Sequence, residues 1–366
     1  MTDTLTARAA AAAAPGTPAG PTPDAARIHA ALEKVIHPVR IDPLVLTLGI
    51  LSWIAVAAVS AFVPNHPQLP LRDVQYIERA NAASIVIALL IAVGWAVLWA
   101  VSRTRGRIGA WAYARAAHGA AWLLGSGVFF LFWIFSTSKT LLFSPPYLIA
   151  PQEILERLWD SRDLLWRSLV SSLGLLATGF VVGLVAGLAT GIVIGWYQWA
   201  NYWVHPILIF IGPVPALAWV PIVFVLSPSS FAGAVFMIAL SVWFPITVLT
   251  RAGILSAPRS YFDVAQTLGA KSWFLVFRVS LPAALPSIFT GAFMALGSSF
   301  ATLVVAENFG VNSGLGYFLN WKKGFGDFPG LYAGIIVLVV VCGLALTLLF
   351  RIRNHVLRWE KELTRW

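Results

Sequence analysis

Few residues in this chain have the type and spacing that covalent chemistry requires. His29, His37, His66, His118, His205 and His355 are scattered, and no two share an apolar segment at metal-ligand spacing. The apolar segments hold no paired carboxylates and no acid–histidine pair, so the usual parts of a proton relay are missing. "LGAKS" at 268–272 echoes a phosphate-binding G-x-x-x-x-G-K-[ST] but lacks the adjacent Gly-Lys and the upstream glycine. Cys342 is the single cysteine and lies in an apolar run, which excludes an intrachain disulfide. The remaining polar candidates suit binding rather than bond-breaking. Ser298 and Thr302 are four apart, hence on one helix face, with Ser299 bordering it. These hydroxyls either meet a small anion or bond to their own helix carbonyls. Glu307 and Asn308 follow at the end of the same segment; Glu307 is either a functional intramembrane acid or an interfacial acid capping a loop.

Membrane helices must position these residues. The chain has 366 residues, 59% hydrophobic and 11% charged, with a mean hydropathy of +0.80. A soluble domain carries roughly 25% charged residues. Apolar runs of about 20 residues are read as spanning helices, and the short alternating segments of a β-barrel are not seen. The expected fold is an all-α integral membrane protein with eight spans: Pro43–Val63, Ala82–Ser102, Ala116–Phe135, Ser168–Trp196, Val204–Leu226, Phe231–Thr250, Ser287–Ala306 and Ala333–Ile352. Residues 1–42 form a leader. Its first part, 1–24, is Ala-, Pro- and Thr-rich and is expected to be disordered rather than a signal peptide. Residues 25–42 read as a short amphipathic helix or as a solvated linker.

Charge orients this array. With both ends on one side, the segments on that side hold 17 of the 25 Lys and Arg and seven of the 15 acids. The whole net charge of +10 therefore belongs to that face, which the positive-inside rule makes cytosolic. Apart from Arg351, counted with the tail at the end of the last span, no Lys or Arg falls within an expected span. The basic character reports topology and requires no nucleic-acid partner. The 17 tryptophans suit interfacial anchoring.

Two spans carry unusual small and kinking residues. Gly179, Gly183, Gly187, Gly191 and Gly195 repeat every four residues, a bare ridge for close helix packing or for a sliding interface. Pro213, Pro215 and Pro221, with Pro245 in the next span, remove backbone donors and predict kinks. Kinked helices of this kind either line a pathway or only pack. Pro215 and Trp219 are the pathway candidates here, joined by Ser298, Ser299, Thr302, Glu307 and Asn308.

The most ordered polar stretch is "FDVAQTLGAKSWFLVFRVSLPAALP", Phe262–Pro286. Tyr261, Ala265 and Leu268 fall on one apolar stripe of a short helix, with Asp263 in its first turn and Gln266 off the stripe. Gly269 offers a left-handed stop. Ser272 is the expected N-cap of a second short helix, which Pro282 and Pro286 end as they open the next spanning helix. The product is a helix–Gly–helix elbow with an exposed apolar face. Such a face either docks a partner or packs on its own bundle.

"DVAQTLGAKSWFLVFRVSLP" resembles the EAA loop of ABC-importer permeases: Asp263, Val264 and Ala265 stand at E-A-A, Gly269 at the family glycine, and Val279, Leu281 and Pro282 at I-x-L-P. Asp for Glu and Val for Ala are the departures. "SPPYLIAPQEILERLW", "PILIFIGPVPALAWVPIVF" and "ALPSIFTGAFMALGSSFATLVVAENFGVNSGLGYFLN" extend the resemblance over about 142–366, toward the nitrate/sulfonate/taurine branch. The resemblance implies a non-enzymatic permease subunit of an ATP-driven importer in a bacterial inner membrane, multi-pass, with both termini cytosolic. It implies an ATPase subunit in two copies, holding ATP and Mg and docking on Tyr261, Asp263, Ala265, Gln266, Leu268, Gly269 and Ala270. It also implies a second permease chain in a homodimer, a periplasmic or lipid-anchored solute-binding protein, and a small anionic solute of the sulfonate, taurine or nitrate kind. This chain itself would bind no cofactor or metal. The domain plan is a leader 1–42, an extra hairpin with its basic loop 43–115, and a six-span core 116–366 with coupling loop 251–286. The alternative is an ion-gradient-driven secondary transporter; a membrane enzyme or scaffold would need a cluster of catalytic polar residues, and none appears.

Overall fold

The computed structural model describes residues 43–66, 74–104, 106–143, 145–212 and 214–359, without the side chains of 74–78. The leader and Pro213 lie outside the described residues. Among the described residues the regular structure is helical throughout, with no strand. Seven helices are long and apolar enough to cross a membrane, and a bent helix pair is an eighth candidate.

Two compact units divide the chain. The first takes in α1 (Pro43–Phe62), the part of α2 (Val74–Ser102) from Ser84 onward, and α3 (Arg107–Lys139). Leu46, Trp53, Val56, Ala88, Ala92 and Leu123 form its core. Trp53 donates from Nε1 to the carbonyl of Leu123 at 3.1 Å, tying α1 to α3. Lys139 donates from Nζ to the Val63 carbonyl just past α1 and to Asn65 Oδ1, the latter at 2.8 Å. A lysine that ends one helix thus caps the end of another, where carbonyls are left over and a cation is favoured.

The second unit takes in α2 up to Ala83 and runs on from Thr140. It contains α4 (Pro151–Asp160), α5 (Arg162–Trp196), α6 (Gln198–Ile211), α7 (Val220–Leu226), α8 (Ser230–Leu255), α9 (Arg259–Thr267), α10 (Ser272–Val311), α11 (Leu315–Gly324) and α12 (Phe328–Val356). The division at Lys139/Thr140 places the third long helix with the first two. α10 includes two wider π turns, Leu275–Ser280 and Glu307–Val311.

Glycine sets the spacing of the central pair. A Cβ built on Gly179, Gly183, Gly187, Gly191 or Gly195 would lie between 2.5 and 3.1 Å from α8, against Ile238, Ala239, Ile246, Thr250 and Ile254 in turn. The two backbones pass at a separation that any side chain on the ridge would prevent. Ala234, Ile238, Val242 and Ile246 of α8 then join Ala292, Ala295, Leu296 and Leu303 of α10 in one core.

Three expectations need correction. Val204–Leu226 is not one helix: α6 and the Ala216–Leu226 segment meet at 90°. Gly212, Val214 and Pro215 lie between them, and Pro215 cannot donate to a continuing ladder. α8, by contrast, continues through Pro245. Secondly, cations do occur within spanning helices, because the helices outrun the hydrocarbon. α5 has 35 residues; at 1.5 Å per residue that is about 52 Å, against about 30 Å of bilayer core. Thirdly, Pro282 and Pro286 do not end a short helix, since α10 continues through both. In an α-helix the Pro282 ring would press on the carbonyl of Arg278. The π turn at Leu275–Ser280 lies at that point and widens the spacing.

Replacing Gly183 by valine should lower the melting temperature of the purified protein sharply. The new Cβ would meet Ala239 O at 2.5 Å and Val242 Cβ at 2.7 Å, an overpacking worth about 1–3 kcal/mol. Gly174→Ala, with nothing within 4 Å of its Cβ, should be neutral or stabilising in the same assay. Equal melting of both variants would refute the close-packed contact.

Candidate functional site

Two features stand at different places in the second unit: an exposed corner between α9 and α10, and a cavity beside the bend between α6 and α7. α9 stops through a pair of nested backbone bonds. Gly269 N–H donates to Gln266 O at 2.9 Å, and Ala270 N–H donates to Ala265 O at 3.0 Å. Gly269 has φ +80°, which a residue with a Cβ adopts only at a cost. This is a Schellman stop, built from the residues that predict it. Ser272 does not cap the next helix; Lys271 holds the N-cap position and no side chain bonds there.

The exposed apolar face of the corner consists of Tyr261, Val264 and Leu268, followed by Trp273 and Phe274. Leu268 is 83% exposed and Trp273 74%. Ala265 is only half-exposed, so Val264 takes the place on the stripe that spacing assigns to Ala265. Val264 was missed because i, i+3 and i, i+4 neighbours share one face. Asp263 and Gln266 are exposed, as Gly269 is, while Ala270 is half-buried. The opposite side of α9 holds the corner in place, with the Phe262 ring 6.1 Å from that of Trp196. Nearby, Arg251 Nε donates to Asn201 Oδ1 at 2.8 Å. Trp359, beyond α12, lines a groove of about 640 Å³ with Tyr261, Val264 and Arg278.

The cavity has a volume of about 560 Å³ and is walled by the α6–α7 bend, the middle of α8 and the middle of α10. Pro215, Ser298 and Thr302 line it, as do Phe244, Pro245 and Met294. No ionisable residue does. The hydroxyls have spent their protons on backbone: Ser298 on the carbonyls of Ser241 and Ala295, Thr302 on that of Ser298. The remaining pathway candidates lie outside the cavity lining. Ser299 is buried and donates to Leu296 O at 2.7 Å. Trp219 packs with Val220, Val223 and Met237. Asn308 donates to Val304 O at 2.7 Å.

Glu307 occupies a knot of its own. It is 0% exposed. Ser172 Oγ of α5 donates to its Oε1 at 2.5 Å, and Gly316 N–H of α11 donates to its Oε2 at 2.6 Å. The same Ser172 oxygen accepts from Leu315 N–H at 2.7 Å. No local pattern signals this, because Ser172 and Glu307 are 135 residues apart.

The end of the unit that carries this knot is also held by ions. Asp327 pairs with Arg157 of α4 at 3.3 Å and with Lys322 of α11 at 2.7 Å, and its carboxylate caps α12 by accepting from Gly330 N–H. Burial pushes its carboxyl upward, but the bonds from Lys322 and Gly330 and the charges of Arg157 and Lys322 outweigh this and hold it below the ordinary range. Glu153 goes the other way. Burial, then the charge of Glu156, raise it to about 7 against the opposing pull of Arg157.

Residues 169–359, just over half the chain, match the model of the binding-protein-dependent transport system inner membrane component. The chain belongs to that family. The match runs from α5 past α12 and includes the elbow and the cavity. The formylaminopyrimidine transport permease protein ThiX of Halalkalibacterium halodurans is 30% identical over 230 residues, which are 63% of this chain and 92% of the relative. The putative aliphatic sulfonates transport permease protein SsuC of Bacillus subtilis is 32% identical, covering 51% of this chain and 67% of the relative. The taurine transport system permease protein TauC of Escherichia coli is 28% identical, covering 63% and 86%. The protein is thus a multi-pass membrane permease of the ABC-importer type, in the branch that the sequence blocks resemble.

Glu153 makes the stability of the permease depend on pH. Its folded-state value, about 7, exceeds the ordinary 4.5, so its stabilising effect is complete at low pH and is lost as pH rises through about 7. Glu153→Gln should therefore melt like the parent near pH 4 and above it near pH 8, pH values chosen at roughly the limits of that window. Parallel melting curves at both pH values would show that Glu153 titrates normally.

Proposed function

We propose that the α9–α10 corner is the coupling element through which a separate ATPase subunit, carrying ATP and Mg, drives this permease. The observation that carries the reading is an exposed apolar strip, Tyr261, Val264 and Leu268, on a helix whose far side is anchored and whose end is locked at Gly269. A rigid apolar projection transmits displacement, where a flexible one would absorb it. The functional residues are Tyr261, Asp263, Ala265, Gln266, Leu268, Gly269 and Ala270, with Val264 added to them. Two permease chains, a homodimer, meet two ATPase subunits, and a binding protein delivers the solute to the opposite face. The solute is a small one of the sulfonate, taurine or nitrate kind, and the cavity at Pro215, Ser298 and Thr302 belongs to its path. The glycine ridge between α5 and α8 is the packing seam of the transport core.

The orientation has both termini in the cytosol and eight crossings, α6 with Ala216–Leu226 forming the broken one. Two contacts support that crossing. Asn201, near the start of α6, bonds to Arg251 close to the elbow, whereas Phe224 packs on Gly310 beside the Glu307 knot. The chain segment between them therefore links the two ends of the unit. Segments expected on one face also meet: Trp359 lies by the elbow, and Arg157 reaches Asp327 at the other end. Residues 1–42 are a leader and 43–115 an accessory hairpin to the core 116–366, whose coupling loop is 251–286.

Gly269→Pro removes a bonded N–H and cannot adopt φ +80°; Asp263→Arg reverses an exposed charge. In the complex reconstituted with its ATPase and binding protein, both variants should insert and assemble yet lose most solute uptake per ATP hydrolysed. Unchanged coupling in both would overturn the role of the corner.

A further inference from the structure

At the end of the second unit that carries the Glu307 knot, a groove of about 440 Å³ is lined by Leu164, Arg167, Asn312, Ser313, Tyr317 and Trp321, among others. No acidic residue lines it. The cations nearby differ in how they are committed. Arg157 and Lys322 serve Asp327. Arg162 bonds to Trp159 O at 3.1 Å and lies 3.9 Å from Asp163. Among the described residues, no ion pair includes Arg167. Its guanidinium is the uncommitted charge of the groove.

The rest of the groove is firmly built. Asn312 stands in the left-handed region, with φ 52°. Ser313 Oγ is hydrogen-bonded to Ser171 Oγ of α5 at 2.8 Å. Gly314, at φ +105°, has no room for a Cβ, which would lie 2.1 Å from Glu307 Oε1. The buried carboxylate accepts from the backbone of Gly316 and Tyr317, so the loop that presents Asn312, Ser313 and Tyr317 is fastened from behind. A fastened loop has little ordering left to lose when a ligand arrives.

We propose that this groove is an anion-binding site for a compact organic sulfonate or carboxylate. Arg167 reads the charged head, assisted by the Asn312 amide and the Tyr317 hydroxyl. Leu164, Tyr317 and Trp321 supply apolar surface for the body of the ligand. A planar guanidinium matches an oxyanion with two parallel donors, and the volume suits a small molecule. The site complements the cavity, whose lining has no ionisable group to compensate a charge. The inference deepens the importer reading by assigning charge recognition to a place outside the cavity. An anionic lipid headgroup presents the same chemistry, so the two sources must be separated.

Calorimetric titration of the full-length protein in phosphatidylcholine nanodiscs provides the test, with ethanesulfonate and benzenesulfonate as probes. Saturable binding is expected, tighter for benzenesulfonate. Arg167→Gln should weaken it roughly tenfold or more, whereas Arg162→Gln, an equal loss of charge at the start of the same helix, should leave it unchanged. In parallel, native mass spectrometry in discs containing phosphatidylglycerol asks whether that lipid is retained in an Arg167-dependent way. Sulfonate binding assigns the site to a free solute, and Arg167-dependent lipid retention alone assigns it to a headgroup. Absence of both, or equal binding by Arg167→Gln, overturns the proposal. The titration needs no ATPase, so its failure would leave the coupling corner standing, and a failed coupling assay would leave the groove standing.

Discussion

The contact of α5 with α8 is the constraint from which the rest of the transport core follows. In a bilayer no hydrophobic driving force pushes helices together, since lipid tails are as apolar as leucine. Association then depends on how closely backbones approach, and the ridge from Gly179 to Gly195 makes that approach possible along four turns. With α5 fixed in this way, α8 packs on α10 through a neighbouring flank, Pro245 and Leu249 against Gly291, and Ile246 shares one core with Ala292 and Ala295. Those three helices carry the elbow at one end and the Glu307 knot at the other.

The cavity is a by-product of the same geometry. α6 and the Ala216–Leu226 segment bend by 90°, and the space inside the bend is closed by the middle of α8 and α10. A continuous helix would fill it. The helical ladder is interrupted beside this cavity, where bare backbone polar groups cost less than in hydrocarbon.

How legible these features were depends on their range along the chain. The glycine ridge and the stop at Gly269 are written in residues a few positions apart, and spacing alone identifies both. The hydroxyls of Ser298 and Thr302 were legible as a shared face, with their preference for helix carbonyls already among the alternatives. The bend between α6 and α7 was legible as a kink in its prolines, but its 90° size was not, because a proline-rich apolar run has the hydropathy of a straight span. The passage of α10 through Pro282 was hidden, since a π turn leaves no compositional mark. The partnership of Ser172 with Glu307 joins residues far apart in the chain, and nothing near either one foretells the other. The Arg167 groove was invisible for the same reason.

The Ser172 hydroxyl has a single hydrogen, and the structure commits it to Glu307 while the lone pairs receive Leu315 N–H. That fixes a direction for the whole relay. Every group facing the carboxylate is a donor, so only a side chain that accepts with both terminal atoms fits without turning a neighbour around. Glutamine has the same length yet would aim an amide hydrogen at another hydrogen. The loop from Val311 to Tyr317 is consequently a clasp: releasing any donor leaves a buried acceptor unfilled.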